Sequence, residues 1–379
     1  MLRLCLWIFV TVFTVQVAAA EPPKRRYPPG WYYRIHLLAA KNLEGFFPNS
    51  IDARNLGNVE TSKLSRQIQK QSEDALQNPN RLALMLIQDG VVLYRGFNNG
   101  ADSGSTLLSH SVAKSLTSLA VGEALCQGKI NSLQDRVDKY LPALANNNYG
   151  SARIVDLLHM ASGIEGDIQY DQLYPSEGRE IWNQQKTIID IAKEYGSKET
   201  KYFDESKRGT FYNYVGMHTY LLGAAVRAAT GMTFAQWFGQ SVGKSAGVAN
   251  EFYWIRDSNN DAMTAGHFSG TLDDYARISL YVLDGLDGKK GECIQSYLKS
   301  AVNDKITKGN MLERKYGHLS YGYQFRTDLV DGPSGSFKMQ GFGGQHIFFD
   351  PEKKRVLLGF SQDWDDKVQD LFKSWSNER

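Results

Sequence analysis

Hydrophobic and polar positions change rhythm along this chain, and the changes mark its elements. Ala83-Leu84-Met85-Leu86-Ile87 leads through Gln88-Asp89-Gly90 into Val91-Val92-Leu93-Tyr94-Arg95-Gly96-Phe97. Two apolar runs around an Asp-Gly turn predict a β-hairpin. A second hairpin is predicted near the C-terminus, where His346-Ile347-Phe348-Phe349 and Val356-Leu357-Leu358-Gly359-Phe360 flank Asp350-Pro351-Glu352-Lys353-Lys354-Arg355. Between them, over roughly residues 111 to 290, the text is mostly helical, most clearly over 112–125, where apolar residues recur at helical spacing. Sheet material at both ends with helical text between predicts an α+β fold: an antiparallel sheet built from both chain ends and flanked by helices.

The same pattern places a chemical pair. Ser111 and Lys114 stand at the start of that helix, preceded by loop residues Gly104, Ser105 and Ser109. Positions i and i+3 share a helix face, so the amine can reach the serine oxygen. In the first turn the N–H of Ser111 lacks an intrahelical partner and the helix dipole is positive, which suits a nucleophile whose attack creates an oxyanion. A lysine activates such a serine only where burial keeps part of it neutral, so the pair needs a buried site. Alone, the tetrapeptide is weak. Ser115 also neighbours Lys114, and a solvated lysine on an amphipathic helix is spelled the same way.

Further text makes it specific. Gly209-Thr210-Phe211-Tyr212-Asn213-Tyr214-Val215-Gly216 runs into a helix carrying Leu221-Leu222-Gly223 and closing at Thr230-Gly231, with Tyr214 nine residues before Gly223. Earlier come Gly128-Lys129-Ile130, Tyr140-Leu141-Pro142 and Leu157-Leu158-His159-Met160-Ala161-Ser162-Gly163; later come Tyr321-Gly322-Tyr323-Gln324-Phe325 and Gly341-Phe342-Gly343-Gly344-Gln345. In this order the motifs resemble the serine hydrolases of the β-lactamase and penicillin-binding superfamily, in particular the class C β-lactamase, esterase and nylon-oligomer (6-aminohexanoate-dimer) hydrolase branch. The resemblance implies a β-lactamase/transpeptidase-like fold: a sheet of five or more strands, an all-helical lobe over about 125–290 inserted between the sheet halves, and a catalytic cleft between them. It implies Ser111 as the acylated nucleophile with Lys114 and Tyr214 as acid and base. The oxyanion hole would be the backbone N–H groups of Ser111 and Phe342, with Gln345 the rival second donor. Met339, Gly341, Gly343 and Gln345 are expected along the substrate pocket, the glycines, with Gly344, letting the strand approach closely.

The chain also departs from the pattern. The position that is Lys or His in the third motif of many relatives falls on Met339, and Lys338 beside it should point to the opposite face of a strand. The Asn found two residues after the tyrosine in the lactamases is Gly216. Both losses count against efficient β-lactam hydrolysis and leave ester or amide hydrolysis open. The expectation is therefore a serine hydrolase cleaving an ester or amide. The alternatives are a β-lactamase or D,D-peptidase acting on cell-wall-like amides, and a catalytically silent ligand-binding domain of the same fold.

Composition supplies the setting. Residues 1–20 read as a signal peptide, with a basic start, a short apolar core and Ala18-Ala19-Ala20 as the cut site, so a periplasmic or secreted protein is expected, without a stable membrane span. Residues 21–60 read as leader and linker and 61–379 as the hydrolase domain. Net charge is +2, and the one basic cluster, Lys24-Arg25-Arg26, reads as a solvated leader, so nucleic acid is not an expected partner; a small-molecule substrate is. No His-x-x-x-His or ligand-spaced Cys pair predicts a metal, and no cofactor is called for. Cys126 and Cys293 read as one helical and one loop position, their bridging left open, as is the oligomeric state. His346 opens a strand without a Gly-x-Ser-x-Gly elbow and reads as structural, and His110 points off another face. Ser162-Gly163 reads as a turn; Tyr170, Trp182 and Trp254 read as core packing.

Overall fold

The computed structural model describes residues 42–48, 52–165, 181, 184–364 and 366–378. The expected signal peptide, Tyr170 and Trp182 lie outside them. The described residues begin with β1 (Leu43–Phe46), α1 (Arg66–Leu76), β2 (Arg81–Gln88), β3 (Val91–Phe97), β4 (Leu107–Leu108) and α2 (Val112–Cys126). The middle holds α3 (Ile154–Leu158), α4 (Ile188–Tyr195), α5 (Gly216–Thr230), α6 (Phe234–Phe238), β5 (Phe252–Ile255), β6 (Phe268–Gly270), α7 (Leu272–Leu286) and α8 (Glu292–Asn303). β7 (His318–Tyr321), β8 (Arg326–Leu329), β9 (Phe337–Gly341), β10 (Gln345–Asp350), β11 (Arg355–Ser361) and α9 (Lys367–Asn377) complete it.

Both predicted hairpins form. In the first, Asp89 and Gly90 take φ of 50° and 80°, the left-handed values that a tight hairpin turn requires. Seven antiparallel strands make one sheet in the order β3-β2-β11-β10-β9-β8-β7, so the two chain ends pair inside it, Leu357 opposite Leu86. β2 shows why its sequence is a continuous apolar run. Ala83, Met85 and Ile87 enter the large core on one face, while Leu84 and Leu86 enter a second core on the other. That second core is closed by Ile68 and Ala75 of α1 and by Val368, Leu371, Phe372 and Trp375 of α9. Period-two alternation thus survives with both faces dry.

The large core joins the opposite face of the sheet to the helices. α2 runs through it and is buried from Val112 to Ala124, which is why the helix is apolar nearly all round. The mostly helical middle also contributes two short strands, which the periodicity reading passes over because short apolar runs such as Phe252–Ile255 suit either structure. With β1 and β4 they form a small sheet, order β1-β5-β6-β4, and Trp254 is buried there among Phe234, Phe238 and Phe268. Cys293 proves to be helical, in the first turn of α8, and it is bonded to Cys126 at the end of α2 with the Cα atoms 5.7 Å apart. The bridge left open by the sequence ties α2 to α8.

Candidate active site

β4 delivers the chain to the start of α2. Ser109 N donates to Phe268 O at 2.8 Å, and His110 then takes φ of 43°, a left-handed conformation uncommon for histidine that turns the chain into the helix. The N–H groups of Val112, Ala113 and Lys114 donate to the carbonyls of Ser109, His110 and Ser111. Ser111 is the N-cap, and its own N–H is left out of that ladder.

Lys114 Nζ donates to Ser111 Oγ at 2.8 Å and to the Ala265 carbonyl at 2.5 Å. Its side chain is 5 % exposed. Burial lowers the Lys114 amine below its ordinary value and Arg326 lowers it further; the opposing pull of Tyr214 does not cancel this. Ser115, the rival hydroxyl, is committed elsewhere: its Oγ donates to the Gln324 carbonyl at 2.5 Å.

Tyr214 comes from the loop ahead of α5. Flanking backbone bonds fix that loop, from Tyr212 N to Lys308 O at 2.8 Å and from Asn213 N to Met160 O at 2.9 Å. The Lys114 ammonium lies 4.9 Å from the Tyr214 ring centre, and Ser111 and Lys114 both act on the phenol. Burial would raise the phenol, but the charges of Lys114 and Arg326, with the action of Ser111, outweigh it and hold Tyr214 below its ordinary value. The structure thus brings Ser111, Lys114 and Tyr214 together.

Arg326, absent from the sequence reading, sits at the first position of β8 with its guanidinium carbon 5.7 Å from the Tyr214 ring centre. Only its place directly after Tyr321–Phe325 hinted at it. Gln324 was also missed as a support. Its side chain bonds Thr219 Oγ1 at 2.8 Å and the Leu157 and Leu158 carbonyls at 2.9 and 3.0 Å, joining α3 and α5 to the turn before β8.

The end of β9 abuts the start of α2. Gly341 packs so tightly that a Cβ there would collide with the Ser109 carbonyl, and the Phe342 ring lies 5.8 Å from His110. Phe342 thus follows directly on the strand end that packs against Ser109 and His110. Two expected pocket residues do not reach solvent. Met339 is 0 % exposed in the large core opposite Ile347, because the inward face of β9 is covered by helices there. Gln345 is 1 % exposed and closes the turn: its Nε2 donates to the carbonyls of Phe342, Gly343 and Ser361, and its Oε1 accepts from Ser361 N. Gly343 and Gly344, at φ of 70° and 81°, serve that turn. Lys338 leaves the opposite face, as expected, with Nζ 5.3 Å from the Phe348 ring centre. His346 stacks on Phe348, and burial holds it well below its usual range, in keeping with a structural role.

No helix among the described residues is long and apolar enough to cross a membrane, and no group of three or more metal-ligating side chains lies among them.

A seven-stranded antiparallel sheet fed from both chain ends, with a Ser-x-x-Lys helix packed against a tyrosine-bearing loop, is the β-lactamase/transpeptidase-like fold. The chain belongs to the beta-lactamase family, whose model matches residues 74–374. It is 22% identical over 291 residues to the 6-aminohexanoate-dimer hydrolase of Paenarthrobacter ureafaciens, covering 75% of this chain and 73% of that protein. Among solved structures it is similar to EstCE1, a hydrolase with promiscuous acyltransferase activity, with TM-score 0.61 and 15% identity over 81% of this chain and 98% of that one. A penicillin binding protein from Bacillus halodurans matches with TM-score 0.58 and 14% identity over 81% and 98% of the two chains.

Proposed function

We propose that this protein is an exported serine hydrolase that cleaves an ester or amide bond through an acyl-enzyme on Ser111. The observation that carries the reading is the buried Lys114 amine 2.8 Å from Ser111 Oγ, with the Tyr214 ring centre 4.9 Å from that amine. Lys114 and Tyr214 together accept the Ser111 proton as Oγ attacks the carbonyl carbon. The N–H groups of Ser111 and Phe342 hold the resulting oxyanion. As the C–O or C–N bond breaks, Tyr214 gives a proton to the departing oxygen or nitrogen. It then takes one from water, which attacks the acyl-serine, and the proton returns to Ser111 Oγ as the acid leaves. The 6-aminohexanoate-dimer hydrolase and the hydrolase EstCE1 support this class of reaction, and a complete Ser-Lys-Tyr cluster is not what a silent binding domain needs. The Cys126–Cys293 bridge supports export, since such bonds persist in oxidising compartments.

A fluorophosphonate probe should label Ser111, and Ser111→Ala should abolish both labelling and turnover of p-nitrophenyl acetate. Labelling at Ser115, or nowhere, would overturn the assignment. A chromogenic cephalosporin turned over faster than p-nitrophenyl acetate at matched concentration would replace the ester reading with the lactam one.

A further inference from the structure

Two loops are locked together near the start of α2, and each carries an exposed aromatic ring. Gln345 Nε2 donates to the carbonyls of Phe342, Gly343 and Ser361, which fastens the β9–β10 turn to the end of β11. The backbones also meet: a Cβ at Gly344, which takes φ of 81°, would stand 2.8 Å from the Asp363 carbonyl. Glycine suits so close an approach at that angle. Trp364 comes next on the second loop, its backbone N–H donating to Asp363 Oδ1 at 2.7 Å.

This frame holds up two large apolar side chains that the core does not use. Phe342 is 56 % exposed and Trp364 is 50 % exposed. Their ring centres are 5.7 Å apart and their planes stand at 78°, so the rings form the two walls of a corner. His110 meets Phe342 edge-on at 5.8 Å, and the buried His346 lies 6.3 Å from Trp364. A single exposed ring is ordinary surface, but a contacting pair on a fastened frame keeps in water an apolar area that a ligand can cover. A third ring suits the corner, face to one wall and edge to the other, as aromatic pairs prefer.

We propose that Phe342 and Trp364 set the substrate preference of this site by binding an aromatic group on the acyl half of the ester or amide. The inference rests on the Ser111 reading above. The choice of half comes from strand β9. Arg326, whose guanidinium lies against the Tyr214 ring, pairs with Lys338. Phe342 lies four residues beyond Lys338, about 13 Å along at the rise of a strand. It follows Gly341, where the strand meets Ser109 and His110. Tyr214 hands its proton to the departing oxygen or nitrogen, so the leaving group lies towards Tyr214 and the acyl substituent towards the Phe342 end.

Two isomeric esters test this: ethyl phenylacetate, with its ring on the acyl half, and benzyl propanoate, with its ring on the alcohol half. Ethyl propanoate is the ring-free reference. Each kcat/KM, read by proton release, is divided by the rate constant for alkaline hydrolysis to remove intrinsic reactivity. The wild type should favour ethyl phenylacetate over ethyl propanoate by about 10–30-fold, the gain of covering a ring, while benzyl propanoate gains little. Trp364→Ala and Phe342→Ala should each cut the phenylacetate preference about fivefold, and Trp364→Phe should keep most of it. Because the preference is a ratio within one enzyme, a general loss of activity cancels. A wild-type preference near one, a larger one for benzyl propanoate, or a preference that survives either alanine variant overturns the proposal. A readout without turnover is inhibition by boronic acids, which form a tetrahedral adduct on serine with the organic group in the place of the acyl substituent. Benzylboronic acid should bind more tightly than methylboronic acid, and Trp364→Ala should shrink the difference; equal inhibition of the wild type overturns the proposal. Sedimentation tests the rival occupant: if Trp364→Ala dissociates an oligomer and leaves the preference in place, the pair joins copies of this chain and the proposal falls. Fluorophosphonate labelling separates the failures, since a labelled enzyme without the preference loses only the aromatic site, whereas an unlabelled one loses the Ser111 reading as well.

Discussion

Tyr212 and Tyr214 lie two residues apart and have opposite chemistry. Tyr212 is fully buried, with its ring centre 4.5 Å from that of Tyr321, its phenol pushed up by burial and its hydroxyl unpartnered. Tyr214 is held low by two cations. Tyr214→Phe should therefore lower kcat by about 10²–10⁴-fold with folding intact, while Tyr212→Phe, which only removes an unsatisfied hydroxyl, should leave both rate and stability nearly unchanged. Equal losses at both positions would assign the segment to packing. Since Arg326 helps hold Tyr214 low, Arg326→Gln should move the acid limb of the kcat/KM profile on a neutral ester to higher pH; an unmoved limb would remove Arg326 from that role. Lys338 gives a stability prediction. Burial first, then Arg326, lowers its amine to about 7, so between about pH 7 and its ordinary range near 10 the unfolded chain binds a proton that the folded one does not. Stability from this group falls as pH drops through that window and is flat below it. Lys338→Met should thus stabilise by on the order of 2–4 kcal/mol at pH 7, with the gain fading towards pH 10 in denaturant titrations.

Helix α2 owes its position to contacts that no local pattern displays. Ser115 bonds the carbonyl of Gln324, whose side chain in turn holds Thr219 of α5 and the end of α3. Gln324→Leu should cost about 3–5 kcal/mol in urea unfolding, because it strands buried groups on two helices; a loss below 1 kcal/mol would mean that packing alone seats the helix. The same distinction explains what the sequence disclosed. The hairpins and α2 were legible because their signals are local: an Asp-Gly turn, two apolar runs, a helical period. The Ser111, Lys114 and Tyr214 set was legible through motif order. Met339 was misread as facing the cleft, and Arg326 was not seen, because each depends on how β8, β9 and β10 line up and on which helices cover them. Such registers are set by pairing across the sheet rather than by any one segment. The buried seat of the Gln345 side chain, bonded to the carbonyls of Phe342, Gly343 and Ser361 of β11, was hidden for the same reason.

At the scale of the whole molecule, the Cys126–Cys293 bond closes a loop spanning 167 positions between the end of α2 and α8. Reduction, or Cys293→Ser, should lower stability by about 2–5 kcal/mol and the Tm accordingly, read by calorimetry with and without a thiol reductant; an unchanged Tm would show that packing between α2 and α8 suffices. The sheet reaches further still. Arg355 of β11 bonds Gln88 of β2 across 267 positions, and β11 stands between β2 and β10. A ribosome making this chain has released Ser111, Lys114 and Tyr214 long before it adds β11, so the proposed catalytic side chains wait, unpositioned, for a strand that contributes none of them. Until that strand arrives, β2 and β10 each present an open edge. Deleting residues 355–379 should therefore abolish cooperative unfolding and fluorophosphonate labelling together, although the whole Ser-Lys-Tyr set remains in the shortened chain. The last strand made is the point at which this polypeptide changes from a string of motifs into a site.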